Sequence, residues 1–352
     1  MIKAAHLRVS EKEATPHLIN YMKKLASLGV NFLVLELGYS FERFPELSSG
    51  TFDKEDAKKV RAAAKEHGIT LAPLFMCLGH QGWGIPKNKL LELHPEFCET
   101  PEATKGEELP DGKKMPDLVA GKPINNTPNG DFYCHSWCAS EDGIYEYVFP
   151  MMDEIADALG AQHIHVGMDE TFSIAEDCCP RCVGRDRAVL YARVVNKLYS
   201  HIVKERGKKM LMWGDRLNNT AVCNYGDWEG DALGIWRAID MIPNDIIICD
   251  WHYEMTEGGF PGVSIFIEKG FTVLPSCWRS GPQAKWLWED SKKRADSAKG
   301  TGELWGMMVT CWAEANAEYL QKLIEAVDKA DAKTEENDHR GVVASLLYLS
   351  SL

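Results

Sequence analysis

The chain carries the run VNFLVLEL at residues 30–37, which is unbroken in its apolar character. Parallel strands show such runs when both faces of their sheet are buried. The segments before and after it have helical spacing: residues 15–28 place leucine and methionine on one face, and the charged residues 53–67 end before Gly68. A buried strand that follows one helix and precedes another predicts an α/β fold.

The same alternation continues along the chain. Further strands are predicted at residues 4–9, 69–77, 162–168, 208–214, 245–251, 271–278 and 303–312, and helices at 143–159, 185–206, 260–269, 281–299 and 313–352. A weaker helical or mixed segment covers residues 227–240. Eight strand–helix pairs predict a (β/α)8 TIM barrel. The alternative is a doubly wound open sheet, which usually has fewer strands and a glycine-rich turn after the first strand; no such turn is present here.

We therefore expect one catalytic barrel over residues 1–352. A long loop insertion follows the third strand at residues 79–142 and should lie over the barrel mouth. It could shape the far end of the substrate site or form a subunit contact in a homodimer. Residues 313–352 should add C-terminal helices, with an acidic break near 331–339.

Composition excludes several classes of partner. Acidic residues number 52 against 39 basic ones, and the net charge of −13 argues against nucleic acid and against an anionic membrane as partners. No apolar run reaches the roughly 18 residues of a membrane span, and MIKAAHLRVS lacks a signal-peptide core. The 11 cysteines, an odd number, suggest reduced thiols. The expected location is the cytoplasm.

Polar and aromatic residues cluster where the predicted strands end. The active site of a TIM barrel lies at this end of the strands. The members of this cluster are Gly79 and His80, Asp169 and Glu170, Trp213 and Asp215, Trp251 and Tyr253, Trp278 and Arg279, and Trp312 and Glu314.

The segment HIHVGMDE, residues 163–170, is the sharpest candidate for chemistry. Adjacent residues on an extended chain point to opposite sides, so Asp169 and Glu170 should occupy different environments, with different pKa values and roles. Such a pair suits a glycosidase whose substrate supplies its own nucleophile. The alternative is that Asp169 caps the segment that follows it.

These residues resemble a known family. HVGMDE at 165–170 resembles the His-x-Gly-x-Asp-Glu signature of glycoside hydrolase family 20, the β-N-acetylhexosaminidases. GHQGWG (79–84), LMWGDRL (211–217) and VTCWAEAN (309–316) resemble the family's segments after strands three, five and eight. The resemblance covers roughly residues 4–320 and is closest to the short, single-barrel branch typified by hexosaminidase D.

The resemblance implies a substrate-assisted, retaining hydrolysis of terminal β-linked N-acetylglucosamine or N-acetylgalactosamine. Glu170 would be the general acid and base, and Asp169 would orient the 2-acetamido group as it forms an oxazolinium ion. His165 would support the pair. No cofactor is implied, and the partner is a small-molecule or glycan substrate with a terminal N-acetylhexosamine.

The sugar pocket needs flat apolar walls and polar groups for hydroxyls. We expect Trp213, Trp251 and Trp312 at the walls, although a buried core position is the alternative for each of them. Trp278, at the end of strand seven, is a further substrate-binding candidate. Glu314 resembles the glutamate that holds outer hydroxyls, and Tyr253 resembles a tyrosine that in many relatives follows strand seven. Asp215 could orient the acetamido group or cap the next helix. His80 is a further pocket candidate, and Arg8 lies near the place of the family's first-strand arginine.

A cysteine cluster, Cys178, Cys179 and Cys182, follows the Asp–Glu pair. Its C-x2-C spacing suits zinc, but four ligands are needed. Cys134, His135 or Cys138 would complete a structural site if the long loop folds back; plain thiols are the alternative. Two other functions also remain open, a non-catalytic sugar-binding barrel and, ranked last, a metal-dependent hydrolase.

Overall fold

The parallel strands close into a barrel. The computed structural model describes residues 1–82, 87–99, 134–176, 179–330 and 338–352. Its strands are β1 (Ile2–Val9), β2 (Phe32–Leu37), β3 (Thr70–Cys77), β4 (His163–Gly167), β5 (Lys209–Trp213), β6 (Ile247–Trp251), β7 (Thr272–Cys277), β8 (Glu303–Leu304) and β9 (Gly306–Val309). β1 pairs with both β2 and β9, and β6 pairs with β7, so the sheet closes. The prediction of a (β/α)8 barrel is confirmed, and the open-sheet alternative is wrong.

Helices surround the barrel in the expected order. They are α1 (Thr15–Ser27), α2 (Lys54–His67), α3 (Lys89–Leu93), α4 (Tyr145–Leu159), α5 (Arg187–Tyr199), α6 (Thr220–Cys223), α7 (Gly262–Glu268), α8 (Gly281–Ser297), α9 (Ala317–Asp328) and α10 (Asp338–Ser351). Helix α2 shows why the predicted bounds hold. Asp53 accepts hydrogen bonds from the backbone N–H groups of Glu55 and Asp56, and Gly68 ends the helix at φ +68°.

The apolar run of β2 serves two cores. Phe32 and Val34 belong to the cluster inside the barrel, and Leu33 and Leu35 belong to the larger cluster between the strands and the helices. Alternate side chains of a strand point to opposite faces. When both faces are buried, every position along the strand is therefore apolar. The unbroken run at residues 30–37 is the consequence.

Three segments differ from their predictions. The eighth strand is interrupted at Trp305, where the backbone of Gly306 approaches β1 so closely that a Cβ would lie 1.8 Å from the carbonyl oxygen of Ile2. The mixed segment 227–240 contains a 3-10 helix, Ile235–Asp240. In the insertion at 79–142, the described residues include helix α3 and a bridge between Cys98 and Trp137.

In the part of the chain that the structure describes, no helix has the length and apolarity needed to span a membrane.

Candidate active site

A cavity of about 220 Å3 opens at the carboxyl ends of the barrel strands. Several side chains of the predicted site meet there with two residues that were not predicted. The lining residues are Arg8, Glu36, Met76, His80, Asp169, Glu170, Trp251, Tyr253 and Trp312. These residues come from the ends of six strands, β1 to β4, β6 and β9, so closure of the barrel brings them together.

The chain turns sharply at the end of β4. Gly167, Met168 and Glu170 have φ values of +66°, +76° and +45°. Left-handed conformations are costly for residues with a side chain and cluster at functional sites. The expectation that Asp169 and Glu170 point to opposite sides is wrong, because the chain is not extended here.

Both carboxylates instead meet His80. Its Nε2 atom lies 3.2 Å from Asp169 Oδ2 and 3.2 Å from Glu170 Oε2. Burial by itself lowers the pKa of His80, but the neighbouring carboxylates of Asp169 and Glu170 outweigh this effect. The pKa therefore lies well above its ordinary value of 6.5, which favours the protonated imidazole.

Two glycines permit this approach. A Cβ on Gly79 would lie 2.9 Å from the carbonyl oxygen of Asp169, so a side chain there would push the turns after β3 and β4 apart. A Cβ on Gly167 would lie 2.5 Å from Met76 Sδ, at a φ that already disfavours side chains. The glycines of both motifs are therefore required by the geometry.

Asp169 retains an acceptor. Its side chain is 8% exposed, and its Oδ1 atom has no hydrogen-bond partner among the described residues. A buried carboxylate oxygen without a donor is unfavourable, so this atom is suited to accept an N–H group from a ligand. No helix begins at Asp169; the next helix, α5, is capped by Asp186, and the capping alternative for Asp169 is wrong.

Asp215 supports the site through hydrogen bonds. Its Oδ2 atom accepts hydrogen bonds from the backbone N–H of Glu170 at 2.8 Å and from Arg216 Nε at 2.8 Å, and its Oδ1 accepts from Trp251 Nε1 at 3.3 Å. Burial raises the pKa of Asp215 to about 6, against the opposing effect of Arg216. Asp215 neither lines the cavity nor caps a helix, since Gly214 precedes the 3-10 helix that it begins.

Aromatic rings form one wall of the cavity. The ring centroids of Trp251 and Tyr253 are 4.8 Å apart, and the hydroxyl of Tyr253 accepts a hydrogen bond of 2.7 Å from Trp312 Nε1. The hydroxyl proton of Tyr253 can therefore be offered to a ligand. Trp278 stands behind this wall, 5.3 Å from the Tyr253 ring and outside the lining residues.

Three other predicted residues do not line the cavity. Trp213 is fully buried in the barrel interior, 4.5 Å from the His165 ring and 5.7 Å from that of Trp312. His165 accepts from the backbone N–H of Gly167, and burial, aided by His6, lowers its pKa well below the ordinary value. Glu314 is exposed at the rim and accepts from the backbone N–H of Ser10 at 2.7 Å.

Arg8 and Glu36 form a pair on the cavity wall. Arg8 Nε lies 3.1 Å from Glu36 Oε2, and Arg8 also donates to the carbonyl oxygen of Trp312 at 3.4 Å. Glu36 was not among the predicted site residues, although the sequence carries a signal for it. Glu36 follows Phe32 and Val34 at every second position, which points a charged side chain into the barrel at the mouth. The other unpredicted lining residue, Met76, carries no such signal, because apolar residues are ordinary in strands.

The cysteine prediction is altered by the structure. Cys138 lies with Cys179 and Cys182, and the fourth member of the group is Glu99. Cys178 lies outside the described residues. Cys134 instead contacts the carbonyl oxygen of Glu170 at 3.8 Å, and His135, although buried, does not belong to the group.

The chain is similar to known proteins in sequence and in fold. The family model described as "Glycosyl hydrolase family 20, catalytic domain" matches residues 5–324. A curated relative, beta-hexosaminidase A of Caenorhabditis briggsae, is 24% identical over 261 residues, which cover 68% of this chain and 38% of the relative.

Solved structures share the fold at low sequence identity. The β-N-acetylhexosaminidase of Bacteroides fragilis superposes with a TM-score of 0.61 at 15% identity, covering 98% of this chain and 65% of that one. The exo-β-N-acetylglucosaminidase of Vibrio harveyi, solved in complex with N-acetylglucosamine, gives a TM-score of 0.56 at 14% identity, covering 99% and 58%. The chain thus spans less than two thirds of the length of each of these relatives.

Proposed function

This chain belongs to glycosyl hydrolase family 20, and from that membership we propose that it is an exo-acting β-N-acetylhexosaminidase. Its substrates would be glycans or small glycosides that end in β-linked N-acetylglucosamine or N-acetylgalactosamine. The observation that carries the proposal is the convergence of Asp169, Glu170 and His80 in a cavity with an aromatic wall.

The first step would use the substrate's own acetamido group. Asp169 Oδ1, which has no partner among the described residues, would accept the acetamido N–H, and Tyr253 would donate to the carbonyl oxygen. Held in this way, the carbonyl oxygen attacks the anomeric carbon from the face opposite the leaving group. Glu170 donates its proton to the glycosidic oxygen as that bond breaks, which leaves a cyclic oxazolinium ion and the free alcohol.

The second step would return the enzyme to its starting state. Glu170, now a carboxylate, takes a proton from water, and the water oxygen attacks the anomeric carbon and opens the oxazolinium ring. The sugar leaves with its β configuration retained. The charge of Asp169 stabilises the positive charge of the ion throughout. His80 would act as a positioning residue, because its Nε2 atom contacts one oxygen of each of the two carboxyl groups.

The same groups suit a cation as well as a sugar. His80, Asp169 and Glu170 each offer one ligand atom within 4.8 Å of the others. A metal-dependent hydrolase would lose activity as soon as a chelator is added, whereas the acetamido mechanism predicts unchanged initial rates in its presence. The non-catalytic alternative, which would be favoured by the lack of a first-strand arginine, is weakened because Arg8 of β1 lines the cavity.

The test is the Glu170→Gln variant assayed with an aryl N-acetyl-β-glucosaminide. We expect a loss of about 10²–10⁴-fold in turnover, the usual contribution of a general acid–base residue, and Asp169→Asn should be nearly as damaging. Glu46→Gln, at an exposed position away from the cavity, is the matched control. Full activity of the Glu170→Gln variant would contradict the proposed acid–base role of Glu170.

Narrower expectations stay predictions. They are the hexosaminidase D-like branch, the organisation of the chain as a single catalytic barrel, the cytoplasmic location and the homodimer. The first depends on residues 28–36 and 67–80 and on Trp251 and Tyr253, which resemble that branch.

A further inference from the structure

Three thiols and one carboxylate meet behind the active-site turn. Glu99, Cys138, Cys179 and Cys182 are each 0% exposed, and their ligand atoms all lie within 4.8 Å of one another. The sulfur of Cys138 is 3.5 Å from that of Cys179 and 3.4 Å from that of Cys182, and the last two are 3.1 Å apart. The carboxylate of Glu99 lies 2.9 Å from the sulfur of Cys182.

The four residues come from two separate segments. Glu99 and Cys138 belong to the segment between β3 and α4, and Cys179 and Cys182 belong to the loop between β4 and α5. Backbone hydrogen bonds hold the first pair in place: Cys138 N donates to Phe97 O at 2.7 Å, and Glu99 N donates to Ser136 O at 2.9 Å. The two segments are also joined directly, because Glu176 N donates to Glu99 Oε1 at 3.0 Å.

The donor set matches zinc. Zn2+ prefers tetrahedral sites of thiolate, imidazole and carboxylate ligands, with Zn–S bonds of about 2.3 Å and Zn–O bonds of about 2.0–2.2 Å. Such bonds place neighbouring ligand atoms about 3.6–3.8 Å apart. The sulfur atoms here lie 3.1–3.5 Å apart, and Glu99 Oε2 lies 2.9 Å from the sulfur of Cys182, so the four ligand atoms would have to move outward to take up a central ion.

Burial without a metal would be costly. A carboxylate enclosed with three thiols and no cation is unfavourable, since a buried charge needs a partner. Arg181 supplies part of the balance at the edge of the cluster, where its guanidinium interacts with Cys138 and Cys179 and donates to the carbonyl oxygen of Cys98 at 2.7 Å. Metal binding would deprotonate the three thiols, and a divalent ion together with Arg181 would then offset three of the four negative charges of the ligand set.

We propose that Glu99, Cys138, Cys179 and Cys182 bind one structural Zn2+ ion. All four positions are filled by protein atoms, so the site has no open position for substrate or water and is distinct from the sugar cavity. The ion would fasten the segment after β3 to the loop after β4. That loop begins just beyond Glu170, so the site would stabilise the turn that carries the proposed catalytic pair.

Metal analysis of the full chain, expressed with zinc in the medium, tests the site. We expect about one zinc per chain, which a thiol-reactive mercurial releases as it blocks the cysteines. Cys182→Ala should lose the zinc, and Cys223→Ala, a buried cysteine outside the cluster, should keep it. The release assay on the unaltered protein stays informative even where Cys182→Ala fails to fold.

Substitution of the glutamate separates ligation from packing. Glu99→Cys would complete a four-cysteine site and should hold zinc against a chelator at least as well as the unaltered protein does. Glu99→Ala should weaken the hold by about tenfold or more. A zinc-free protein, or a mass showing a disulfide between any two of the three cysteines, would overturn the proposal.

Discussion

His80 is the residue on which the two carboxylates converge. Asp169 and Glu170 both approach its Nε2 atom at 3.2 Å, and all three side chains are mostly buried. Two carboxylates this close would repel each other without a cation between them. The raised pKa of His80 is the reciprocal effect, since the same contacts favour its protonated form.

His80→Gln should therefore destabilise the fold in a pH-dependent way. A histidine whose pKa is raised on folding contributes stability that is fully present below its unfolded pKa of about 6.5 and is lost as the pH rises through the folded value. Removing one partner of a buried ion pair costs about 3–5 kcal/mol. We expect a difference of that order in the free energy of unfolding at about pH 6, shrinking at alkaline pH.

Urea unfolding of both proteins at several pH values measures this difference. His67→Gln, at the end of α2, serves as the control because no carboxylate forms an ion pair with His67 among the described residues. A difference that is constant with pH would show that His80 stabilises the site by packing and not by charge.

At this scale the sequence predicted positions at strand ends better than it predicted roles. Period-two alternation places Trp213 inside the barrel, yet no pattern tells an interior tryptophan from one on the wall, and the structure buries it beneath Trp312. Asp215 looked like a ligand-binding group. Its oxygens are instead occupied by Glu170, Arg216 and Trp251, contacts that only the closed barrel creates.

Among the elements, the turn after β4 decides the geometry of the site. Gly167 adopts φ +66°, and its Cα hydrogen faces Met76, so neither its conformation nor its surroundings accept a side chain. Gly68, at the end of α2, has nearly the same φ of +68° but has open space around the position of a Cβ. The two glycines form a matched pair.

We expect Gly167→Ala to lower the free energy of unfolding by about 1–2 kcal/mol from backbone strain alone, with a further loss from the contact with Met76. Gly68→Ala should show the backbone part only. Turnover should fall in Gly167→Ala, because Asp169 and Glu170 shift, and should stay unchanged in Gly68→Ala. If the two variants changed the free energy of unfolding and the turnover equally, the turn after β4 would tolerate the displacement of Asp169 and Glu170.

Elements whose ends carry clear capping residues were predicted closely, whereas elements without such residues were not. Asp53 and Gly68 delimit α2 through local hydrogen bonds and backbone conformation, both of which are encoded in neighbouring residues. Gly306, which follows the break at Trp305, contacts β1 more than 300 residues away in sequence, so no local pattern predicts this contact. The pairing of Glu99 with the cysteines is non-local in the same way.

At the scale of the whole molecule, the barrel depends on the closure between its first and last strands. β1 pairs with β9 from Ile2 opposite Gly306 to Ala5 opposite Val309. The approach at the first of these pairs leaves no room for a Cβ. The eight-fold alternation predicted this closure, but the sequence did not show that one glycine permits it.

Gly306→Ala should accordingly weaken the closure. We expect a loss of at least about 1–3 kcal/mol in the free energy of unfolding, as for other overpacked positions, with amide hydrogens of β1 and β9 exchanging faster. Gly226→Ala, where a Cβ meets nothing within 4 Å, is the control. If the amide hydrogens of β1 exchanged at an unchanged rate in Gly306→Ala, the closure of the barrel would not depend on Gly306.

The central claim is that the substrate's acetamido oxygen is the nucleophile. The most direct measurement is kcat/KM for aryl β-glucosaminides whose 2-acetamido group carries none, one or three fluorine atoms, with the plain aryl β-glucoside as reference. Fluorine withdraws electrons from the carbonyl oxygen, so we predict a steady fall, reaching at least about 100-fold for the trifluoroacetamide, and no hydrolysis of the glucoside. Equal values across the series would contradict the account.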